Sequence, residues 1–280
     1  MAKTTTHRAR KRFGQHFLEP AWVDKVIQAI DPHGDETFIE IGAGRGALTL
    51  PLAGRAKAVV AYEIDRDLAA LLRARQPANV SIVAEDFLSS GKGLNFESGT
   101  LLRVAGNLPY NIASPILFKL LDMSAPAGRA ATRPADATVM LQREVADRLA
   151  APPATRQYGV LSVLVRHRAD IDRLLDLPPG AFRPPPKVSS AIVRLRFHEP
   201  APAVRDSVLF ERLVHAVFTR RRKTLANALL AFPREAAHDV SPAAALDRAR
   251  LDGRRRPETL TVEEFARLAD AYADIRDMGV

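Results

Sequence analysis

Thr37-Phe38-Ile39-Glu40-Ile41-Gly42-Ala43-Gly44-Arg45-Gly46 joins a short apolar run to a loop with glycine at every second position. The run has the length and composition of a strand. The glycines let the backbone turn sharply and come close to a bound ligand. Their G-x-G-x-G spacing departs from the G-x-G-x-x-G of dinucleotide enzymes, so a pyrophosphate cradle does not follow. Outward from this loop the alternation continues. Residues 58–62, 80–84, 101–105 and 138–141 read as further strands, and 48–53, 68–74, 115–121 and 144–150 as helices between them. Strands over 171–175 and 191–197 would complete a Rossmann-like, doubly wound parallel sheet of seven strands, an α/β fold. Residues 198–205, with Pro200 and Pro202, read as a linker. Beyond it, 210–230, 242–249 and 262–273 carry helical periodicity with no strand pattern. The expected organisation is a sheet domain over 1–198, headed by a basic segment, and a small all-helical domain over 199–280.

Composition narrows the function classes. With 47% hydrophobic and 26% charged residues in 280, the chain is long and apolar enough for a sizeable core. A net charge of +9 and a pI near 10.2 point to a polyanionic partner. The absence of cysteine excludes disulfides, thiolate metal sites and a cysteine nucleophile. Residues 13–22 are too polar for the apolar core of a signal peptide, and no stretch reaches the ~20 apolar residues of a membrane span. A cytoplasmic protein without a membrane partner is expected.

The ends of successive strands carry the candidate chemistry. The second strand ends at Glu63, where a carboxylate can grip both hydroxyls of a ribose. The third ends at Glu85-Asp86-Phe87, where Asp86 can accept a hydrogen bond from an adenine amine. Either acid alone is also an ordinary strand-end charge or helix N-cap. Gly-rich turn, acid and acid at three successive strand ends form the pattern expected for S-adenosylmethionine.

After the run 101–105 comes Gly106-Asn107-Leu108-Pro109-Tyr110. An adenine amine conjugates its lone pair into the ring and is a poor nucleophile unless acceptors hold its hydrogens. The Asn107 side-chain oxygen and the Leu108 carbonyl can accept them, Pro109 fixes the turn, and Tyr110 offers a stacking face. Asn and Pro are also ordinary turn residues. Together with the upstream acids, the turn suggests chemistry on adenine nitrogen.

With Phe13-Gly14-Gln15-His16-Phe17-Leu18, the Gly-rich loop, Asn107-Leu108-Pro109-Tyr110 and Phe182-Arg183-Pro184-Pro185-Pro186-Lys187-Val188, the sequence closely resembles the ribosomal RNA adenine N6,N6-dimethyltransferases over nearly its whole length. Among them it is most similar to the bacterial branch acting on 16S rRNA. The resemblance implies S-adenosylmethionine-dependent dimethylation of two adjacent adenosines in the 3′-terminal hairpin, within an immature small ribosomal subunit. It implies S-adenosylhomocysteine as product, no metal and a monomer. Gln15, His16 and Leu18 would cover the cofactor, Gly42 would approach its amino-acid part, Glu63 its ribose and Asp86 its adenine amine. Asn107 would touch both cofactor and target. Phe182 would face Tyr110 across a flipped adenine. His16 stands where many relatives carry Asn, and is expected to act as a neutral structural donor. Alternatives are a 23S rRNA adenine methyltransferase of the antibiotic-resistance type, or an assembly factor with vestigial activity.

Three basic clusters are candidates for phosphate contact: the 8–12 segment, Arg220-Arg221-Arg222-Lys223 and Arg254-Arg255-Arg256. Arg220 to Lys223 is favoured for RNA, because it falls on a predicted helix of the appended domain. The other two also read as solvated faces.

Overall fold

The computed structural model describes residues 15–90, 96–97, 99–125, 133–233 and 240–278. The 8–12 segment and Phe13-Gly14 lie outside the described residues. The chain forms two compact units: one runs to Ala146 and resumes at Asp170–Phe197, and the other comprises Asp147–Ala169 and His198–Val280.

The first unit is built on a seven-stranded sheet. In chain order its elements are β1 (Phe17–Leu18), α1 (Pro20–Ile30), β2 (Glu36–Ile41), α2 (Thr49–Ala53), β3 (Ala58–Tyr62), α3 (Arg66–Arg73), β4 (Val80–Val83), β5 (Leu101–Asn107), α4 (Ala113–Ser124), β6 (Pro134–Gln142), β7 (Ala169–Leu177), β8 (Phe182–Arg183) and β9 (Ser190–Phe197). Helix α5 (Arg143–Ala150) spans the boundary between the units. The strand order is β4-β3-β2-β5-β6-β9-β7. Strands β2 to β6 pair in parallel, as the βα alternation predicts. β9 runs antiparallel to β6, so the sheet is mixed rather than wholly parallel. β2 is buried along its length, as a central strand covered on both faces should be. Gly106 in β5 permits a close approach to β2, since a Cβ there would lie 2.5 Å from the Ile41 carbonyl oxygen.

Two short features lie outside the predicted pattern. Helix α1 starts with Pro20 at its first turn and buries Val26, Ile27 and Ile30. Its C-terminal carbonyls are held by Arg103, which donates to the Ile30 and Asp31 oxygens, and by Arg194, which donates to Ala29 and Ile30. Glu36 and Asp136 neutralise Arg103 at 2.9 Å each, which makes burial of its guanidinium tolerable. The second feature is a two-stranded sheet of β1 and β8, with Leu18 opposite Phe182. Together they fix the segment ahead of α1 as a strap.

The second unit is helical, with α6 (Val160–Arg166), α7 (Ser207–Phe218), α8 (Leu225–Leu229), α9 (Pro242–Ala249) and α10 (Val262–Met278). It takes in residues 147–169, which the sequence pattern assigns to the sheet domain. The reason is packing: Tyr158 is fully buried, meets Phe218 edge-on and donates its hydroxyl to the Leu260 carbonyl at 2.8 Å. His167 likewise donates through Nε2 to the Pro202 oxygen and packs on Phe210. The expected continuous helix over 210–230 is interrupted after α7, because Thr224 is extended and caps a new helix at α8. No helix among the described residues is long and apolar enough to cross a membrane.

Candidate active site

The strand ends predicted to hold chemistry converge on one pocket in the first unit. Gln15, His16, Leu18, Gly42, Glu63, Asp86, Asn107, Leu108 and Tyr110 all line it. Its floor is the loop after β2, in which Gly42, Gly44 and Gly46 have positive φ. The amides of Gly42 and Ala43 donate to the Tyr62 carbonyl, tying the loop to the end of β3. At Gly44 a Cβ would meet the Phe17 ring of the strap at 3.4 Å, an ordinary contact, so its positive φ rather than lack of space calls for glycine. The Arg45 guanidinium lies over that ring, 4.3 Å from its centroid.

Glu63 is buried and its carboxylate organises the backbone on both sides. Oε2 accepts the Gly44 amide at 2.7 Å and Oε1 accepts the Asp65 amide at 2.8 Å. A carboxylate oxygen accepts more than one hydrogen bond, so the same group can also take ligand hydroxyls. Asp65, which no motif singles out, caps α3 by accepting from Asp67 and also accepts from Gln15 Nε2 at 3.2 Å. Gln15 therefore anchors the strap to the β3 end.

Asp86 accepts the Leu88 amide at 2.9 Å, a side-chain turn that sets the loop after β4. Lys119 of α4 braces this loop from beneath, donating to the carbonyls of Phe87, Leu88 and Ser90 and lying over the Phe87 ring. Burial lowers the Lys119 pKa, against the raising effect of Asp86. Nothing in a lysine on an amphipathic helix announces that role.

Asn107 ends β5, and its Nδ2 donates to the His16 carbonyl at 2.7 Å. With the donor committed, Oδ1 is the end available as an acceptor, which adenine polarisation requires. Tyr110 shares a 2.7 Å hydrogen bond with the buried Ser190 hydroxyl, and burial raises its phenol pKa. His16 Nδ1 donates to the Pro184 carbonyl at 2.7 Å. A carbonyl only accepts, so this nitrogen carries the proton. This hydrogen bond ties the His16 ring to the segment after β8.

Two candidates are placed differently from the simplest reading of the sequence. Phe182 is fully buried, in the apolar cluster that also holds Leu177, Ala181 and Ile192, and it is not among the residues lining the pocket. Arg220 to Lys223 lie in the turn between α7 and α8, not on a helix. Arg221 there is committed to Glu258, at 2.7 and 3.0 Å, and to the Arg156 carbonyl. Arg220, Arg222 and Lys223 remain exposed. In the third cluster, Arg255 pairs with Glu264 and Arg254 with Asp252.

Glu40 is the least expected member of the site. It lines the pocket, is almost completely buried, and its Oε2 has no hydrogen-bond partner among the described residues. Burial, with the charge of Glu63 adding to it, raises its pKa from the usual 4.5 to about 7. The unfolded chain therefore releases this proton before the folded one does. The stability from Glu40 is fully present below its unfolded pKa of 4.5 and is lost as the pH rises to about 7. Glu40→Gln should recover on the order of 3 kcal/mol at neutral pH relative to acid pH. Urea midpoints of variant and parent across that window measure it, and parallel pH profiles would place the proton elsewhere.

The sheet order, Gly-rich turn and strand-end acids define an α/β methyltransferase with an adenine-directed site. The sequence profile of the family described as ribosomal RNA adenine dimethylase matches residues 6–273, and the chain belongs to that family. It is 42% identical over 272 residues to the ribosomal RNA small subunit methyltransferase A of Acinetobacter baylyi, covering 96% of this chain and 94% of that one. The corresponding protein of Aromatoleum aromaticum is 45% identical over 276 residues, with 95% of each chain covered. Among solved structures, the fold is similar to a dimethyladenosine transferase from Plasmodium falciparum, with a TM-score of 0.76 at 24% identity over 95% of this chain and 99% of that one. The 23S rRNA methyltransferase ErmE is similar with a TM-score of 0.63, at 28% identity over 92% and 99%. The chain is an rRNA adenine dimethyltransferase, and the family implies S-adenosylmethionine as its methyl donor.

Proposed function

We propose that this enzyme dimethylates two adjacent adenosines in the 3′-terminal hairpin of 16S rRNA, acting as a monomer on an immature small subunit in the cytoplasm. The observation that carries the chemistry is the orientation of Asn107, whose amide nitrogen is tied to His16 while Oδ1 is left to accept from the target amine. Small-subunit relatives at 42% and 45% identity against 28% for the 23S enzyme favour the 16S substrate.

The pocket suits S-adenosylmethionine. Glu63 would take the ribose hydroxyls and Asp86 the adenine amine. Gly42 admits close approach of the amino-acid part, and Glu40 Oε2 offers an unused acceptor. When bound, the cofactor supplies an electrophilic methyl group on a sulfonium centre, leaving S-adenosylhomocysteine after transfer. Asn107 Oδ1 and the Leu108 carbonyl accept the amine hydrogens and favour a more pyramidal nitrogen, while Tyr110 stacks on the base. Positioning and polarisation carry the catalysis, and no dedicated base is needed because the methylated ammonium is acidic enough to lose its proton to water. Incubation with labelled methyl donor and separate small and large subunits tests the substrate: label should enter only the small-subunit RNA.

Exposed Arg220, Arg222 and Lys223 are assigned to ribosomal RNA phosphates, and Arg221 to holding their turn through Glu258. Neutralising the three exposed cations should weaken subunit binding and flatten its salt dependence by about 0.7 to 0.9 in slope for each phosphate no longer neutralised. Cofactor affinity should be unaltered, since none of these residues lines the pocket. A salt series with parallel cofactor titrations measures both. An unchanged slope would return the cluster to a solvated surface.

A further inference from the structure

Tyr110, the ring assigned to stack on the target adenine, is already stacked on by another ring. The imidazole of His16 stacks on the phenol with centroids 5.4 Å apart and planes 24° from parallel. The phenol cannot easily turn away, because Ser190 holds its hydroxyl. A base entering between the two rings would need two stacking contacts of about 3.5 Å, so a separation of about 7 Å. The observed spacing leaves no such room.

Two tethers hold His16, and they differ in kind. Its main-chain carbonyl accepts from Asn107, while its side-chain Nδ1 donates to Pro184, 168 positions along the chain. The first tether fixes the strap whatever side chain stands at this position. The second fixes only the ring. The ring can therefore leave Tyr110 by side-chain rotation, at the cost of the Pro184 hydrogen bond and one stacked pair, while Asn107 keeps its orientation.

Resting on the reading that adenine is the substrate base, we propose that His16 is a specificity-determining plug. Its imidazole occupies the Tyr110 stacking face in the RNA-free enzyme, and the target adenine displaces it ring for ring. The seat then opens only to a ligand that stacks well enough to replace the imidazole, and the polarising acceptor stays in place during the exchange. Phe182 is fully buried and does not line the pocket. The role is distinct from covering the cofactor, because the ring faces Tyr110 and Pro184.

His16→Asn and His16→Ala should lower the KM for small subunits lacking the modification and raise kcat/KM about three- to tenfold, the equivalent of one stacked pair. Cofactor affinity is titrated separately in each variant. Proton spectra of the histidine rings supply the second measurement, with adenosine 5′-monophosphate as probe. The His16 ring signals should carry an upfield ring-current shift that disappears in Tyr110→Ala and moves toward its unstacked position when the nucleotide is added to the parent. Unchanged or lower kcat/KM in both folded, cofactor-binding variants would overturn the plug. So would His16 signals indifferent to Tyr110→Ala or to the nucleotide. A fall in cofactor affinity that accounts for the kinetic change would make His16 a cofactor-side residue only and also overturn it. If the parent methylates no adenosine in any subunit, the functional reading fails instead, and the spectra alone decide whether the ring occupies a base seat.

Discussion

Asn107→Ala is expected to slow methyl transfer by about 10²- to 10³-fold, the usual loss when one preorganised polar partner of a reacting group is removed, while subunit binding changes little. The side chain sits at the end of β5 with its amide nitrogen bound to the His16 carbonyl, so Ala removes both the acceptor for the target amine and the strap's tether. Phosphate contacts made elsewhere are untouched. Asn107→Asp separates the two roles, since it keeps acceptor oxygens but places them against the His16 carbonyl without a donor. Single-turnover transfer and subunit binding, measured on the same preparations, test the assignment. Equal losses of both in Asn107→Ala would make the residue structural.

Glu63→Ala should raise the dissociation constant for S-adenosylmethionine by about ten- to 150-fold, corresponding to about 1.5 to 3 kcal/mol for a charged hydrogen-bonding partner. The structure adds a second consequence. The same carboxylate accepts the amides of Gly44 and Asp65, so the variant also releases the Gly-rich loop and the start of α3. A lower melting temperature should accompany the weaker binding. Calorimetric titration of the folded variant measures the first effect and thermal unfolding the second. Unaltered cofactor affinity would remove Glu63 from the ligand site and leave it as a loop brace.

How much of the molecule is legible in its sequence follows from how local the signals are. Strands β2, β3, β4 and β5 are short apolar runs closed by turn residues, and the acids and amide at their ends are contiguous with them, so fold and pocket floor can both be read directly. The antiparallel direction of β9 has no local signature. The strap is visible only through its resemblance to a family motif, since β1 and β8 are two residues each and pair across most of the first unit's sequence. Phe182 is buried in the apolar core, which no reading of an aromatic followed by prolines could decide. Helix α1 is signalled by Pro20 and the spacing of Val23, Val26, Ile27 and Ile30, a pattern that the expected element order omits. The break between α7 and α8 is hidden by apolar residues that keep helical spacing on both sides, although Thr224 is an N-cap type. Lys119 and the stacking of His16 on Tyr110 depend on tertiary contacts that spacing cannot express.

The most direct test of adenine dimethylation in the small subunit is mass spectrometry of the 3′-terminal 16S rRNA fragment, after small subunits lacking the modification are incubated with the protein and S-adenosylmethionine. Two adjacent N6,N6-dimethyladenosines in the hairpin are the predicted result, absent when Asn107→Ala replaces the parent. Unmodified 16S rRNA beside methylated 23S rRNA would contradict it, as would a fully active Asn107→Ala.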